Sequence, residues 1–385
     1  MPKELYEFYA DQKVLQHPER IAEWREKGYT SPITVDFDLT NRCNHDCPGC
    51  ISGISRKEKV IKTINGRESS SFAEVPYNRA KELIQEFGDM GVAGINLGGG
   101  GEPTCHPNAG EIMKLINENG MTLGLFTNAQ KLSDNLVDSI AKYCDWTRVS
   151  LDAGSPELFK ETHGVKPDSF YEVLDNIKRI SDRRNELETE MVLGTSYLLG
   201  SHTLNGIYDS VRISKEQKAD YTRLRPFERY GDFSNKEADK MMSELERARE
   251  SFEDNNFKVS YDEVRCNHRA GEDVEIFKIC YVPHFWASID ANLQLHPCCY
   301  FKNSNMYSPN LKSPDLGNLT DRSFKEVWES HQRTRVSEDL DISGCPHPCQ
   351  FYDTGTALYQ ISLGNLGTEE INTASKKEIM HANHL

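Results

Sequence analysis

The chain has 385 residues, which is enough for one large domain and a second, smaller one. It carries 45 basic and 60 acidic residues, and the net charge of −15 argues against binding to nucleic acid or to an anionic lipid surface. No stretch approaches the roughly 18 consecutive apolar residues that a membrane-spanning helix needs. The first five residues, MPKEL, are charged rather than apolar, so the sequence predicts no secretory signal and a cytoplasmic location.

Strand and helix signals alternate over the first 230 residues or so, after an amphipathic helix expected at residues 2–28. We expect strands at residues 33–39, 94–97, 122–126, 146–151, 191–197 and 221–225. We expect helices from Pro76, at 108–118, at 132–142, from Ser169 with Glu172 as its capping-box partner, and at 204–216. Six strand–helix units indicate an α/β fold and favour a partial (β/α)6 barrel over a flat sheet. Functional residues in such folds lie at the carboxyl ends of the strands.

The pattern changes near residue 233. A charged helix is expected at 234–255, a hairpin at 287–295, a short helix at 321–334, and a frayed tail or a lid over about the last 20 residues. We therefore place a first domain at residues 1–232, a barrel with an N-terminal helical extension. The second domain, residues 233–385, would contain a linker helix, a small cysteine-rich α+β unit and the C-terminal tail.

Cysteine clusters are the most informative chemical feature. In a long chain without a secretory signal, they indicate metal binding rather than disulfides. Cys43, Cys47 and Cys50 form a CxxxCxxC motif directly after the first predicted strand. Three thiolates on one short loop can hold three corners of an iron–sulfur cube and leave one iron open, whereas a structural zinc site needs a fourth protein ligand. His45 is the candidate fourth ligand within this loop.

A run of four glycines at residues 98–101, followed by Glu102 and Pro103, ends the second predicted strand. Glycines allow a ligand to approach the backbone closely, and the Glu102 carboxylate can accept hydrogen bonds from an ammonium group. Taken alone, the run is also compatible with an ordinary turn. His106, just beyond it, is expected to be a capping or core histidine rather than a catalytic one.

The CxxxCxxC loop and the glycine motif resemble those of the radical S-adenosylmethionine (SAM) superfamily. The resemblance implies that Cys43, Cys47 and Cys50 hold a [4Fe–4S] cluster whose open iron binds SAM. It also implies that SAM is cleaved to a 5′-deoxyadenosyl radical, which abstracts a substrate hydrogen. Gly49 stands where the family usually has an aromatic residue, and a glycine keeps only the backbone contact to adenine. The cofactor-binding residues implied in this way are Gly100, Gly101, Glu102, Pro103, Asn128, Ser150, Asp152 and Ser196.

Arg223 and Arg225 share one face of the sixth predicted strand and are also candidate cofactor-binding residues. If this face points into the barrel, the two guanidinium groups require anions, so we expect a carboxylate or a phosphate near them. The alternative is that the two arginines form salt bridges on the outer face of the barrel.

A second set of cysteines, Cys280, Cys298, Cys345 and Cys349, flanks the hairpin and short helix of the C-terminal unit. With the segments LGNL at 316–319 and FKEVW at 324–328, it resembles the SPASM and twitch accessory domains of radical SAM enzymes. The resemblance implies one auxiliary [4Fe–4S] cluster, because the six cysteines after residue 260 are too few for two cubes with four cysteines each. Cys299 and Cys266 are reserve ligands, and a four-cysteine zinc site is the alternative.

Two cysteines, Cys105 and Cys144, have no partner by spacing and are expected to be buried as small hydrophobic residues. The predicted function is that of a radical SAM enzyme that oxidises or remodels an anionic small molecule, such as a sugar nucleotide or a phosphorylated sugar. A peptide-modifying maturase is the nearest alternative. A non-catalytic iron–sulfur or zinc scaffold, or a redox sensor, is an alternative of another class. An electron donor such as flavodoxin or ferredoxin is the expected protein partner.

Overall fold

Eleven strands in the described part of the chain build its α/β architecture. The computed structural model describes residues 13–50, 52, 62–64, 67–69, 72–227, 233–269, 271–273, 277–303, 313–346, 348–376, 379 and 381–385. The strands are β1 (Thr34–Phe37), β2 (Lys62–Ile64), β3 (Arg67–Ser69), β4 (Gly94–Leu97), β5 (Thr122–Thr127), β6 (Trp146–Ser150), β7 (Val192–Leu199), β8 (Tyr221–Pro226), β9 (Lys258–Tyr261), β10 (Trp286–Ile289) and β11 (Leu295–His296).

Nine of these strands form one sheet, in the order β11-β10-β1-β4-β5-β6-β7-β8-β9. The six predicted strands are β1 and β4 to β8, and each pairs in parallel with the next. The sheet has two open edges, at β11 and β9, so it is a partial barrel rather than a closed one. The predicted fold class is confirmed.

Helices connect and flank the strands, as the sequence predicts for βα units. The α-helices are α1 (Pro18–Lys27), α2 (Tyr77–Asp89), α3 (Ala109–Glu118), α4 (Asp134–Tyr143), α5 (Pro156–His163), α6 (Ser169–Glu186), α7 (Ile207–Glu216), α8 (Asn235–Phe252), α9 (Glu263–Arg269), α10 (Cys299–Lys302), α11 (Phe324–Trp328), α12 (His331–Thr334), α13 (Val336–Asp339), α14 (Tyr352–Ser362) and α15 (Thr368–Ala374). Short 3-10 helices lie at Lys13–Gln16, Pro103–Cys105, Leu204–Gly206 and Val282–His284. No helix in the described part of the chain combines the length and apolarity needed to cross a bilayer.

Alternation of side chains along the strands separates an apolar outer layer from a polar lumen. On β1, Val35 and Phe37 are fully buried in the main hydrophobic core. The ring of Phe37 meets that of Phe87 of α2 edge to face, with the ring centroids 5.9 Å apart. Asp36 lies between them in sequence and lines the central cavity, where its carboxylate accepts a hydrogen bond from Asn96 of β4 at 3.0 Å. The apolar outer layer packs the helices against the sheet, and the polar side chains of the lumen line the central cavity.

Three strands from beyond residue 232 join the same sheet. β9 pairs with β8, and β10 pairs in parallel with β1. β10 and β11 form the antiparallel hairpin that the sequence predicts at 287–295. The division into domains at residue 232 stays a prediction, but the hydrogen-bonded sheet continues across it.

Several local expectations were wrong. α6 begins at Ser169 with Asp168 as its N-cap residue, so Ser169 and Glu172 do not form a capping box. Their side chains instead accept hydrogen bonds from Gln130 Nε2, at 2.9 and 2.7 Å. The helix expected at 321–334 is two helices, α11 and α12. Residues 2–12 of the helix expected at 2–28 lie outside the described residues, and the remainder contains a 3-10 helix at Lys13–Gln16 and α1 at Pro18–Lys27.

The last described residues are not a frayed tail. Residues 381–385 lie at the amino ends of the barrel strands, where Thr34 Oγ1 donates to the Asn383 carbonyl at 2.8 Å. The ring of His384 meets the Trp146 indole edge to face, with centroids 5.3 Å apart. Lys13 Nζ donates to the His384 carbonyl at 3.0 Å. This segment therefore covers the end of the barrel opposite the expected site.

Candidate functional site

A cavity of about 520 Å³ runs through the barrel lumen, and all three cysteines of the CxxxCxxC motif line it. Cys43, Cys47 and Cys50 are partly exposed and form no disulfide. Their loop is anchored on the end of α5, where the Asp46 amide donates to the His163 carbonyl at 3.1 Å. Gly164 follows with a φ of +66°, and a side chain there would overlap the Asp46 carbonyl. The three thiols are thus held at the carboxyl end of β1, facing one shared space.

Two buried histidines support this loop. His45 Nδ1 lies 3.1 Å from His163 Nδ1, and His45 Nε2 lies 2.8 Å from Gln130 Oε1. His163 Nδ1 lies 3.6 Å from Cys47 Sγ. Burial lowers the pKa of His45 to about 4 and that of His163 to about 3. Both ring nitrogens of His45 have partners within hydrogen-bond distance. The geometry therefore favours the three thiolates as the cluster ligands, with His45 holding the cysteine loop in position. His163 was not found from the sequence, because its distance from the loop along the chain hides the contact.

Glu102 lies at the end of β4 and is almost completely buried, with 3% of its surface exposed. Its Oε1 accepts three hydrogen bonds, from Thr104 N at 3.1 Å and from the Thr104 and Thr127 hydroxyls at 2.7 Å each. Its Oε2 accepts one, from the Asn128 amide at 2.7 Å. Burial raises the pKa of Glu102, and these hydrogen bonds oppose that effect. Since a carboxylate oxygen offers about two lone-pair sites, Oε2 is the oxygen that can accept a further bond from a ligand.

The glycine run packs directly on the loop that follows β1. Gly99 has a φ of +101°, and a side chain there would overlap the Asp38 carboxylate. A side chain at Gly101 would overlap the Arg42 carbonyl. Gly101 and Glu102 line the cavity, whereas Gly100 and Pro103 are not among its described lining residues. These glycines bring the backbone near enough to the cysteine loop for one ligand to touch both.

Other predicted residues lie at the ends of the next strands. Asn128, Ser150 and Asp152 line the cavity, and Asn128 Nδ2 approaches Cys43 Sγ at 3.8 Å. Asp152 Oδ1 accepts a hydrogen bond from the Leu198 amide at 2.9 Å, and burial raises the Asp152 pKa to about 7. Ser196 is buried and is not among the described lining residues, but its carbonyl accepts from the Asp152 amide at 3.0 Å.

Arg223 and Arg225 both line the cavity, as expected for inward-facing side chains. Arg223 Nη1 donates to Ser260 Oγ at 2.8 Å, and Arg223 Nη2 lies 3.6 Å from the carboxylate of Asp262. Asp262 therefore places a carboxylate beside Arg223. Arg225 Nε is buried and has no hydrogen-bond partner among the described residues. The anion that the sequence predicts near the two arginines is therefore not found as an acceptor for this nitrogen.

Sequence analysis did not identify three further cationic side chains that line the lumen. Lys13 lines the cavity, and burial together with Arg148 and Arg223 lowers its pKa to about 7. Arg148 lies over the rings of β-strand aromatics, 5.4 Å from the Trp146 ring centroid. Lys302 reaches from α10 to Asp38, with Nζ 2.7 Å from the carboxylate. Only the parity of Arg148 with Ser150 on β6 pointed to any of these side chains.

The auxiliary cysteine cluster comprises Cys280, Cys298, Cys299, Cys345 and Cys349, which share one hydrophobic cluster of the C-terminal unit. Burial, followed by the neighbouring Cys349, raises the pKa of both Cys280 and Cys345. Cys299 also lines the central cavity and accepts a hydrogen bond from Gln350 at 3.1 Å.

The three remaining cysteines lie elsewhere. Cys266 is fully buried in a separate cluster next to β8 and β9 that contains no other described cysteine. Cys144 is buried as expected. Cys105 is partly exposed and lies 3.8 Å from Asn44 of the cysteine loop, so its expected place in the core was wrong. His106 is a buried core residue, since its Nε2 lies 2.9 Å from the Val75 carbonyl.

Two family models match the chain where these two groups of cysteines lie. The radical SAM superfamily model matches residues 37–200, and the SPASM model, an iron–sulfur cluster-binding domain, matches residues 280–350. The chain belongs to the radical SAM superfamily. Its cofactors are accordingly SAM and a [4Fe–4S] cluster, with auxiliary iron–sulfur binding by the SPASM domain. The residues fit these groups, because three thiols without disulfides share a cavity with Glu102 and a second group of cysteines, also without disulfides, adjoins it.

Curated relatives of this radical SAM chain are similar over part of their length. Mycofactocin maturase MftC of Mycobacterium tuberculosis is 26% identical over 148 residues, which is 38% of this chain and 34% of MftC. An S-adenosylmethionine-dependent nucleotide dehydratase of Flammeovirga pacifica is 28% identical over 142 residues, 36% of this chain and 46% of the relative. The matched region therefore spans between a third and a half of these relatives.

Solved structures share the fold over most of the chain. Streptococcus suis SuiB bound to the precursor peptide SuiA is 16% identical with a TM-score of 0.59, over 82% of this chain and 69% of SuiB. The protein anSMEcpe with bound AdoMet and the Cp18Cys peptide is 13% identical with a TM-score of 0.55, over 89% of this chain and 98% of that one. At these identities the likeness establishes the radical SAM SPASM fold.

Proposed function

We propose that this radical SAM chain abstracts a hydrogen atom from a peptide substrate and that cationic side chains in the barrel hold an acidic group of that peptide. One observation carries the proposal. A single cavity extends from the three cysteines of the CxxxCxxC loop, past Glu102, to Arg223 and Arg225, and Cys299 of the auxiliary cysteine cluster also lines it. A substrate bound there would lie between the SAM site and the auxiliary site.

A peptide is favoured over the free small molecule that the sequence suggested. The MftC relative is named a maturase, and the SuiB and anSMEcpe structures each contain a bound peptide. The partial barrel also has open sheet edges at β9 and β11 rather than a closed wall. Such an opening would admit one residue of an extended chain, with the rest of the peptide remaining outside.

Side chains of this protein would bind and orient the reactants. When bound here, the cluster and SAM supply a 5′-deoxyadenosyl radical. Glu102 Oε2 can accept a hydrogen bond from the SAM ammonium group, since its other oxygen is already saturated. Phe126 and Trp146 place their rings on the cavity wall and would exclude water from the reacting atoms. Arg225 lines the cavity, so its guanidinium group would donate to a substrate carboxylate.

A second candidate is oxidation or dehydration of a phosphorylated small molecule. The paired arginines on β8 favour it, because guanidinium groups bind phosphate as well as carboxylate. The nucleotide dehydratase relative is consistent with it. In either case the reaction needs an external one-electron donor, for which a flavodoxin or ferredoxin is our proposal.

The test uses the full chain, reconstituted with iron and sulfide under anaerobic conditions and reduced with dithionite. SAM cleavage is followed as 5′-deoxyadenosine, first alone and then with acidic peptides, nucleotides or phosphorylated sugars. We expect acidic peptides to accelerate cleavage and Arg225→Met to raise the peptide KM at least tenfold. The matched control is Arg212→Met, because Arg212 lies on α7 and pairs with Asp209 and Glu216 outside the cavity.

Each outcome separates the alternatives. Acceleration by nucleotides or phosphorylated sugars, and not by peptides, would support the second candidate. Absence of 5′-deoxyadenosine from a protein with a full, reducible cluster would favour a scaffold or redox sensor. Equal effects of Arg225→Met and Arg212→Met would refute the role assigned to the β8 arginines.

A further inference from the structure

His45 of the CxxxCxxC loop faces His163 at the end of α5 in a contact that an ordinary hydrogen bond between neutral rings does not explain. His45 Nδ1 lies 3.1 Å from His163 Nδ1, and His163 Nδ1 lies 3.6 Å from Cys47 Sγ. All three residues line the central cavity. The function proposed above uses Cys47 as a cluster ligand and gives the two imidazole rings no ligand of their own.

The outer nitrogens of the two rings fix their tautomers. His45 Nε2 lies 2.8 Å from Gln130 Oε1. Because Gln130 Nε2 donates to the Glu172 carboxylate, Oε1 is the acceptor of that amide. His163 Nε2 lies 3.1 Å from the Leu151 carbonyl, which also can only accept. Each neutral ring therefore carries its proton at Nε2, and each Nδ1 carries a lone pair.

Two lone pairs thus face each other at 3.1 Å. A second proton on one ring would make this contact a hydrogen bond, but it would also create a buried cation, since His45 is 7% and His163 is 3% exposed. Among the described residues, the carboxylate within ion-pair distance of either ring is that of Asp152, which is 3.8 Å from His163 Nε2 and too far for a hydrogen bond. The Cys47 thiol has one proton and can satisfy only one of the two nitrogens. A metal ion between the rings would satisfy both.

The spacing of the three atoms suits one metal ion. A tetrahedral zinc ion, about 2.0–2.1 Å from nitrogen and about 2.3 Å from sulfur, holds two nitrogens about 3.3 Å apart and a nitrogen and a sulfur about 3.6 Å apart. The observed separations, 3.1 Å between the histidines and 3.6 Å from His163 to Cys47, are close to these values. All three ligand atoms lie within 4.8 Å of one another, so a rotation of the Cys47 side chain would complete the site.

We propose that His45, His163 and Cys47 bind one divalent metal ion of the zinc type when the loop carries no iron–sulfur cluster. Two neutral imidazoles and a thiolate are a ligand set that zinc accepts, with water from the cavity as the fourth ligand. Because Cys47 belongs to both ligand sets, the zinc ion and the [4Fe–4S] cluster exclude each other. A bound zinc ion therefore blocks loading of the cluster, whichever substrate the enzyme acts on.

The site is tested by anaerobic titration of the full chain with Co²⁺ before iron and sulfide are added. Co²⁺ held by imidazole and thiolate absorbs visible light, and Zn²⁺, which such sites bind more tightly, should displace it. His163→Phe and Cys47→Ala each remove one proposed ligand. The matched control is Cys50→Ala, which removes a thiol of the same loop that the proposed site does not use. We expect wild type and Cys50→Ala to bind one more ion per chain than His163→Phe and Cys47→Ala, whatever the auxiliary cysteines bind.

A second measurement tests whether the zinc ion and the cluster exclude each other. Wild type and His163→Phe are each reconstituted with iron and sulfide, with and without prior loading with Zn²⁺, and each protein is compared with itself. We expect zinc to lower the iron content of wild type by about four irons per chain more than it lowers that of His163→Phe, since one cube contains four irons. Equal losses in the two proteins would refute the exclusion.

The pattern of variants decides which residues hold the ion. Loss of one ion in Cys50→Ala and Cys47→Ala, and not in His163→Phe, would assign it to the three thiolates and overturn the proposal. The same number of bound ions in all four proteins would also overturn it. If His163→Phe does not fold, His45→Gln replaces it, and the same loss of one ion is expected.

Discussion

Replacing Glu102 with glutamine tests how the buried carboxylate contributes to SAM binding. In Glu102→Gln the side-chain oxygen can keep the place of Oε1, where it accepts three hydrogen bonds. The new NH₂ group then faces the Asn128 amide, which now donates to Oε2 at 2.7 Å. Two donors then oppose each other. The flipped rotamer sets the NH₂ group against the Thr104 amide instead, so each orientation of the glutamine loses at least one hydrogen bond.

The magnitude follows from the hydrogen bonds lost. A bond to a charged group contributes about 1.5–3 kcal/mol, and about 1.4 kcal/mol corresponds to a tenfold change in affinity. If Oε2 binds the SAM ammonium group, Glu102→Gln should weaken SAM binding by about 10- to 150-fold. Thr104→Val is the matched control, because it removes one donor to Oε1 and leaves the charge in place. It should change SAM affinity less than Glu102→Gln does.

The assay is equilibrium dialysis of labelled SAM against the anaerobically reconstituted protein, with iron content measured on the same samples. Iron should be unchanged, because the three cysteines of the loop are intact. A SAM affinity within threefold of wild type, in a folded and iron-replete Glu102→Gln variant, would refute the reasoning.

Three further predictions concern buried groups around the same cavity. Asp38→Asn and Lys302→Met should each lower the free energy of unfolding by about 3–5 kcal/mol, because each change leaves one buried charge unpaired. The double variant should lose less than the sum of the two single losses. Urea denaturation measures these free energies, and additive losses would contradict the prediction. His163→Phe removes the ring nitrogen that lies 3.6 Å from Cys47 Sγ and should lower the affinity of the loop for its cluster about 10- to 100-fold, measured as iron lost to a chelator. Iron retention equal to that of wild type would show that His163 only fills space. Burial raises the Asp36 pKa from 3.8 to about 7, so the folded state holds a proton that the unfolded state has lost between these values. The stability of wild type relative to Asp36→Asn should therefore be greatest below about pH 4 and fall as the pH rises to about 7; a relative stability that is flat over this range would contradict the raised pKa.

Local patterns were sufficient for the barrel strands and for the cysteine loop. The second predicted strand agrees with β4 at both ends, and the other five agree with β1 and β5 to β8 to within three residues. Period-two alternation is a property of consecutive residues, so it can be read without knowing the neighbouring strand. The CxxxCxxC spacing is equally local, and it correctly predicted three thiols at the end of β1.

Contacts between distant segments of the chain could not be predicted from these local patterns. The Ser169–Glu172 spacing is a proper capping pattern, yet both side chains bind Gln130 from another part of the barrel. Cys105 appeared isolated in the sequence but lies beside the cysteine loop. In each case the partner is set by the packing of separate βα units, which local propensity does not encode.

The sequence by itself determined the fold class and identified the candidate cluster ligands and Glu102 as a candidate SAM ligand, because each depends on residue types at short spacing. Tertiary structure alone decided the environment of these groups. It placed β10 beside β1, brought Lys302 to Asp38, and enclosed residues 381–385 at the amino end of the barrel. Burial and charge pairing depend on what packs together in three dimensions, and these contacts join residues up to 371 positions apart in the chain.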